Sequence, residues 1–160
     1  MLGISVRAHS FGFVVIEETA ALDSGVRTCY RAQFDHCLGD RLERILRIYH
    51  PSAVVMLSAR SNRAKQRTEI TRTAIKNVAK RNKALTISVR PTVLHRHFAQ
   101  YNAATKHQIA AAVAQILPEL AWRLPHKRKP WQTEHYCMAI FDAAAAVIAH
   151  TWRGNTSPKD

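Results

Sequence analysis

Residues 3–18 read GISVRAHSFGFVVIEE, and this stretch decides which fold the rest of the chain can complete. Apolar residues of strand type lie on both sides of a short segment of turn residues. The stretch therefore predicts an antiparallel hairpin. Its first strand ends without an acidic residue, whereas its second strand ends in Glu17 and Glu18.

Hydrophobic periodicity predicts the elements that follow the hairpin. The predicted strands are 2–6, 11–17, 25–33, 52–58 and 85–89, the predicted helices are 35–49, 63–81, 105–117 and 133–150, and 118–131 is a predicted loop. In the second helix, the apolar residues Ile70, Ala74, Ile75 and Val78 are expected to face inward. This order predicts an α/β domain over residues 1–152, with helices packed on a mixed sheet, and a polar tail at 153–160.

Composition narrows the class of protein and of partner. The chain has 160 residues, 47% of them hydrophobic, which excludes a disordered or fibrous protein. It carries 24 Lys and Arg against 11 Asp and Glu, a net charge of +13. Such an excess predicts a polyanionic partner, with nucleic acid the first candidate and an anionic membrane surface the second.

The cysteines and the N-terminus predict a cytoplasmic protein. Cys29, Cys37 and Cys137 are odd in number and form no C-x-x-C pair, so we expect neither a disulfide nor a zinc site, as in a reducing compartment. No signal-peptide pattern opens the chain. The longest apolar stretch, 136–149, is interrupted by Asp142 and is too short to span a membrane.

The element order resembles the ribonuclease H-like fold, and three segments are similar to the RuvC-type Holliday junction resolvases. In that family the first strand ends in Asp-Pro-Gly, with a glycine seven residues after the aspartate. Here Ser5-Val6-Arg7 occupies that place, and Gly12 follows Ser5 by seven residues. The resemblance implies a five-stranded mixed sheet, with three antiparallel strands and then two parallel ones, flanked by helices.

The resemblance also implies where catalytic acids would stand. The family's acids correspond here to Ser5, to Leu57 at the end of the fourth strand, and to Ala139 and Asp142 in the last helix, so only Asp142 matches. Two-metal cleavage holds its ions about 3.5–4 Å apart, which takes several converging carboxylates. Arg7 and Arg60 would add positive charge beside the site. We therefore expect a phosphate-contacting surface with little or no cleavage, and no cofactor.

Asp142 has alternative interpretations. It lies on an exposed helix edge or pairs with a nearby arginine, or it is a remnant metal or substrate ligand. A divergent site could combine Asp142 with Glu134 or His135 and bind one Mg²⁺ or Mn²⁺. On a helix, however, His135 would lie about 10 Å along the axis from Asp142, too far to share an ion directly.

A second candidate site is the basic stretch 60–83, in which nine basic residues accompany Glu69 as the sole acid. The basic residues are Arg60, Arg63, Lys65, Arg67, Arg72, Lys76, Lys80, Arg81 and Lys83. Helical spacing places four of them, Arg72, Lys76, Lys80 and Lys83, in one stripe opposite the apolar face. A ridge of this kind can follow a phosphate backbone.

A third candidate is the loop sequence His126-Lys127-Arg128-Lys129, flanked by Trp122 and Trp131. Basic residues beside aromatic ones favour contact with a phosphate backbone and stacking on unpaired bases. In the alternative interpretation, the two tryptophans pack the loop onto the core while the charges stay solvated. His95 and His97 show no metal-ligand spacing and are expected at the surface.

The favoured function is nucleic-acid binding by a RuvC-like domain with a degenerate nuclease centre. One rival is a divergent metal-dependent endonuclease acting on branched DNA, and another is a scaffold whose basic face meets an acidic protein. Phosphate contacts do not distinguish DNA from RNA. The resemblance favours DNA and makes a homodimer an expectation.

Overall fold

The structure is a computed structural model that describes residues 1–30, 33–58 and 62–155, with side chains at 1–30, 33–58 and 69–152. The strands are β1 (Leu2–Val6), β2 (Ser10–Glu17), β3 (Ala20–Thr28), β4 (Ala53–Leu57) and β5 (Leu85–Val89). The helices are α1 (Phe34–Tyr49), α2 (Asn62–Arg81), α3 (Pro91–Ala99), α4 (Lys106–Ile116) and α5 (Met138–Asn155), with a 3₁₀ helix at Pro118–Arg123.

The five strands form one mixed sheet in the order β3-β2-β1-β4-β5. Strands β1, β2 and β3 pair antiparallel, whereas β4 pairs parallel with both β1 and β5. This confirms the predicted sheet of three antiparallel and two parallel strands. The predicted hairpin is confirmed, with Ser5 directly opposite Gly12 in the register of β1 and β2.

Alternating side chains divide the core into two layers, one on each face of the sheet. Leu2, Ile4 and Phe13 pack with α1 and α2. On the other face, Val14 and Val55 pack with α3, α4 and α5. Helix α5 is nearly all apolar because it crosses the middle of this second face, with contacts to β1, β2 and β4.

Two glycines allow α5 to lie unusually close to the sheet. A Cβ atom at Gly3 would overlap the backbone carbonyl of Ala143, and one at Gly12 would overlap the backbone of Ala139. The small residues on both sides of this contact therefore set the distance between helix and sheet. That distance fixes where Asp142, one residue before Ala143, meets the end of β1.

The predicted third strand, 25–33, is wrong in its bounds, because β3 spans Ala20–Thr28. The turn before it takes only two residues, one of them Glu18 with a φ of 51°. Polar residues then continue the strand. The Asp23 carboxylate accepts hydrogen bonds from the Ser24 amide and the Tyr49 hydroxyl at 2.7 and 2.9 Å.

The predicted last helix, 133–150, begins too early, since α5 starts at Met138 and continues to Asn155. The segment before it forms a turn in which the His135 carbonyl accepts a hydrogen bond from the Met138 amide. Glu134 and His135 therefore precede the helix instead of lying on its face. The helix extends three residues into the predicted tail, and 156–160 lie outside the described residues.

The inward face of α2 differs from the predicted one. Thr71, Ile75, Val78 and Ala79 are buried, whereas Ile70 is 56% exposed. The buried stripe includes a polar residue because the Thr71 hydroxyl donates a hydrogen bond of 2.9 Å to Asp35 of α1. That bond satisfies the buried hydroxyl group. Thr71 can therefore take the inward position that was predicted for Ile70.

Helix α3 was not predicted. Pro91 is the first residue of this helix, a position that suits proline because the first helical N–H has no partner within the helix. His97 is consequently buried, with 4% exposure, so the expected surface position is wrong. Its ring contacts those of Phe98, Tyr101 and Trp152. The 3₁₀ helix likewise occupies the first part of the segment predicted as loop.

Cys29 and Cys37 form a disulfide that joins the end of β3 to α1, with Cα atoms 5.8 Å apart. The expectation that no disulfide forms is therefore wrong, and the cysteines no longer support a reducing compartment. Cys137 is a buried free thiol. In the part of the chain that is described, no helix is both long and apolar enough to cross a bilayer.

Candidate functional site

The candidate site lies where the two central strands end. Arg7 follows the last residue of β1, and Lys106 is the first residue of α4. Asp142 lies one turn into α5, and Glu134 lies in the segment that leads to that helix. Four separate parts of the chain thus each bring one charged side chain to this edge of the sheet.

These four residues, called here the charge cluster, are joined by direct ion pairs. The Arg7 guanidinium donates one hydrogen bond to Glu134 and another, of 2.7 Å, to Asp142 Oδ2. The Lys106 ammonium nitrogen lies 2.7 Å from Glu134 Oε1 and 2.9 Å from Asp142 Oδ2. Each cation contacts both carboxylates, so the ionised cluster has no net charge.

Burial raises the pKa of both carboxyl groups, whereas pairing with the two cations lowers it. Burial is the largest influence on the pKa of Glu134 and raises it, but hydrogen bonds from Lys106 and Arg7 together outweigh burial and leave the pKa below its ordinary value. The pKa of Asp142 is raised, because its deeper burial, with repulsion from Glu134, exceeds the attraction of the same two cations.

The cluster changes the meaning of two sequence predictions. Asp142 pairs with a nearby arginine, as one of its two interpretations proposed. Arg7 lies beside the predicted metal position, but its guanidinium is engaged by two carboxylates. A role for Arg7 in contacting phosphate remains a prediction.

The positions that the resemblance predicts for the other acids of the RuvC-type family lie around the same edge. Ser5 shares the face of β1 that packs on α5, since it is two residues from Gly3. Leu57 and Asp142 line one cleft, and Ala139 lies against Gly12. Serine, leucine and alanine thus surround the lone aspartate where carboxylates would be needed to hold cations.

The donors present do not fit a pair of divalent ions. Among the described residues, no group of three or more His, Cys, Asp and Glu side chains lies together in a way that could hold a metal. Glu134 and Asp142 direct carboxylate oxygens at Arg7 and Lys106, whose positive charges oppose a cation. His135 stacks on Tyr136, with ring centroids 4.5 Å apart, and its Nδ1 accepts from the Cys137 amide.

Lys106 lies between two clefts. The smaller one, of about 400 Å³, is lined by Leu57, Ser58 and Asp142 among others. The larger one, of about 980 Å³, is lined by Thr105, by the first two residues of α4 and by residues of the segment between Pro125 and Met138. We call the larger one the loop cleft. Glu134 lines it, so the charge cluster forms the wall between the two.

The predicted basic stripe on α2 is only partly exposed. Lys76 and Lys80 are exposed, and Lys83 follows the end of the helix with a φ of 59°. The Arg72 side chain, 28% exposed, donates a hydrogen bond to Ser88 of β5 and lies 3.8 Å from Glu69. Arg60 lies outside the described residues, as do the side chains of Arg63, Lys65 and Arg67.

The loop tryptophans do not pack onto the core. Trp122 and Trp131 are 76% and 77% exposed, which overturns the alternative in which they hold the loop against the protein. The Lys129 ammonium lies over the Trp131 ring, 5.4 Å from its centroid. Arg128 donates a hydrogen bond of 2.7 Å to the Gln132 carbonyl, and Lys127 and Arg128 both line the loop cleft.

The sequence predictions missed Lys106. The local signal was present, because Thr105 caps α4 in a capping box, with its hydroxyl accepting from Gln108. That signal predicts where the helix begins and therefore which residue stands first. Its proximity to Asp142, 36 residues later, comes from the packing of α4 on α5 and has no counterpart in the local sequence.

No protein-family model and no curated protein sequence matches the chain. Solved structures do match it. One is a structure of Thermus thermophilus RuvC, with a TM-score of 0.73 and 18% identity, covering 97% of this chain and 96% of that one.

Another is T. thermophilus RuvC in complex with a Holliday junction substrate, with a TM-score of 0.71 and 17% identity, covering 98% of this chain and 94% of the other. The match extends over nearly the whole length of both proteins. The chain therefore has the ribonuclease H-like fold in the form found in RuvC.

Proposed function

We propose that this protein binds nucleic acid, DNA in preference to RNA, through a RuvC-type fold whose nuclease centre no longer supports two-metal cleavage. The observation that carries the proposal is the charge cluster. Both carboxylates at the ends of the central strands are hydrogen-bonded to Arg7 and Lys106, and Ser5, Leu57 and Ala139 occupy the neighbouring positions.

The loss of cleavage follows from electrostatics. A pair of divalent ions requires several oxygen ligands that carry negative charge. Two carboxylates that are already neutralised by two cations offer little attraction to such ions, and displacing Arg7 and Lys106 would leave both cations unpaired in a partly buried place.

Nucleic-acid binding is supported by charge and by fold. Because the charge cluster is neutral, the net charge of +13 lies on other residues. Lys76 and Lys80 on α2, and Lys127 at the loop cleft, are exposed cations that can contact phosphates. The structural neighbour that holds a Holliday junction substrate supports DNA as the first candidate partner.

Binding to a four-way DNA junction, and to a duplex and a single strand of equal length in both DNA and RNA form, tests the proposal, with cleavage of the DNA measured on the same samples in Mg²⁺ and in Mn²⁺. We expect affinity to fall steeply with the logarithm of salt concentration, and no metal-dependent cleavage. Weak binding that is alike for DNA and RNA and insensitive to salt would favour a scaffold for an acidic protein.

Cleavage has its own control in Asp142→Asn. Metal-dependent cleavage that disappears in this variant would replace the proposal with the divergent endonuclease. The expected homodimer is tested by sedimentation velocity on the free protein and on its complex with the junction. The expected cytoplasmic location is tested by imaging or fractionation of the tagged chain in the cells that make it.

A further inference from the structure

The loop cleft combines a positive rim with exposed aromatic rings. Lys127 and Arg128 line it, and Glu134 is the one carboxylate among its lining residues. Glu134 is already paired with Arg7 and Lys106. The cleft therefore presents uncompensated positive charge, although the neutral charge cluster forms one of its walls.

Its aromatic side chains are held in place but not covered. Tyr136 is 65% exposed and stacks on His135 with an angle of 30° between the rings. Trp131 is 77% exposed, with the Lys129 ammonium over its ring. Burying a large aromatic ring away from water is favourable in free energy. Because these rings stay exposed in the folded protein, a flat partner that covers them would gain this free energy on binding.

We propose that the loop cleft binds an unpaired nucleotide, with its base stacked on Trp131 and its phosphates at Lys127 and Arg128. A base inside a duplex has both faces covered by its neighbours, whereas an unpaired base offers a free face for stacking. The cleft volume of about 980 Å³ is ample for one nucleotide and its flanking phosphates.

The inference rests on the proposed function and deepens it. Contacts between phosphate and basic residues would bind duplex and single strand alike. The loop cleft would add a preference for nucleic acid in which a strand leaves the helix, as at a branch point, a gap or a tail. This preference would depend neither on the charge cluster nor on cleavage.

The test compares two tryptophans of similar exposure. Trp131 lines the loop cleft, whereas Trp122, 76% exposed, does not line it. Trp131→Ala and Trp122→Ala would be measured against a blunt duplex and against a duplex of the same charge with a single-stranded tail. The first unpaired base of the tail would be 2-aminopurine, whose fluorescence is quenched when it stacks.

We expect Trp131→Ala to weaken binding to the tailed duplex about tenfold, in line with the loss of one stacked base, and to abolish the quenching. Binding to the blunt duplex and all properties of Trp122→Ala should be unchanged. Trp131→Phe keeps a ring and should retain most of the affinity. Thermal unfolding would verify that each variant is folded.

Two outcomes would overturn the inference. If Trp131→Ala weakens both duplexes equally, or acts no differently from Trp122→Ala, the loop cleft does not recognise unpaired bases even though the protein binds nucleic acid. If the unmodified protein binds neither duplex, the proposed function itself fails, and the inference fails with it.

Discussion

The charge cluster and the outer side of α2 use the same kinds of cation in opposite ways. Arg7 and Lys106 each contact two carboxylates. Lys76 and Lys80 are exposed, and among the described side chains no carboxylate pairs with either. The comparison teaches that a net charge of +13 does not tell which cations are available to a polyanion. In the folded protein, some of these cations neutralise its own carboxylates.

The ion pairs of Asp142 in the charge cluster depend first on the close approach of α5 to the sheet. Gly12→Ala would place a methyl group against the backbone of Ala139, and we expect it to lower the free energy of unfolding by about 3 kcal/mol. Helix α5 would have to move, and Asp142 would move with it. Chemical denaturation measures the effect.

Gly39→Ala in α1 is the matched control for that substitution. Its new methyl group would lie 3.7 Å from Val78, an ordinary contact, and alanine favours a helix by about 1 kcal/mol over glycine. We expect this variant to be as stable as the unmodified protein or slightly more so. Equal loss of stability in both variants would contradict the special role assigned to the close approach of α5 at Gly12.

The exposed side of the comparison is tested by reversing charge on α2. Lys76→Glu combined with Lys80→Glu should weaken nucleic-acid binding about thirtyfold at moderate salt and reduce the slope of log affinity against log salt by about 2. Fluorescence anisotropy over a salt series gives both quantities. Arg72 is left unchanged because its bond to Ser88 gives it a structural role.

A double reversal on α1 provides the control. Arg44→Glu with Arg47→Glu changes the net charge by the same amount on exposed positions, one of which already pairs with Glu43 at 2.8 Å. If both double variants lose affinity alike, net charge alone governs binding and α2 has no special part. A larger loss for the α2 variant places the phosphate-binding surface there.

The smallest expected effect concerns the two carboxylates of the charge cluster, whose pKa values move in opposite directions. The lowered pKa of Glu134 means that its ionised form stabilises the fold above its ordinary pKa of 4.5, and that this stability is lost as pH falls. Glu134→Gln should therefore cost about 1 kcal/mol at neutral pH, because the pair is partly exposed. The difference should shrink in acid.

Asp142→Asn should show the opposite trend. The raised pKa of Asp142 means that the folded state holds its proton more tightly than the unfolded one, so this group's contribution falls as pH rises above 3.8. The asparagine variant should gain relative to the unmodified protein over that range. Urea unfolding between about pH 3 and pH 8 measures both variants. Parallel pH profiles would contradict the assignment of opposite shifts.

Part of the fold was predictable from local patterns. The hairpin came from apolar alternation, whereas the sheet of three antiparallel and two parallel strands was implied by the resemblance to the ribonuclease H-like fold. The start of α4 came from the cap at Thr105. Errors arose where a polar residue was satisfied by a distant partner, as with Asp23 and Tyr49 in β3 or Thr71 and Asp35 in α2.

The candidate site was predictable only in part. Asp142 was identified from the resemblance to the RuvC-type family, and Glu134 was considered as its partner. The sequence placed Glu134 on a helix, however, and gave no sign that Arg7 and Lys106 bridge it to Asp142. The disulfide between Cys29 and Cys37 was likewise missed, because the two cysteines have no C-x-x-C spacing and meet only through the way the end of β3 lies against α1.

The amino-acid sequence by itself determined the presence of the five strands and of α1, α2, α4 and α5, the excess of positive charge and the absence of carboxylates at Ser5, Leu57 and Ala139. These are properties of composition and of short-range periodicity. Only the tertiary structure decided which charges are neutralised and which are exposed. The reason is physical: ion pairing depends on distances of a few ångströms between residues as far apart in the chain as Arg7 and Asp142, and packing alone sets those distances.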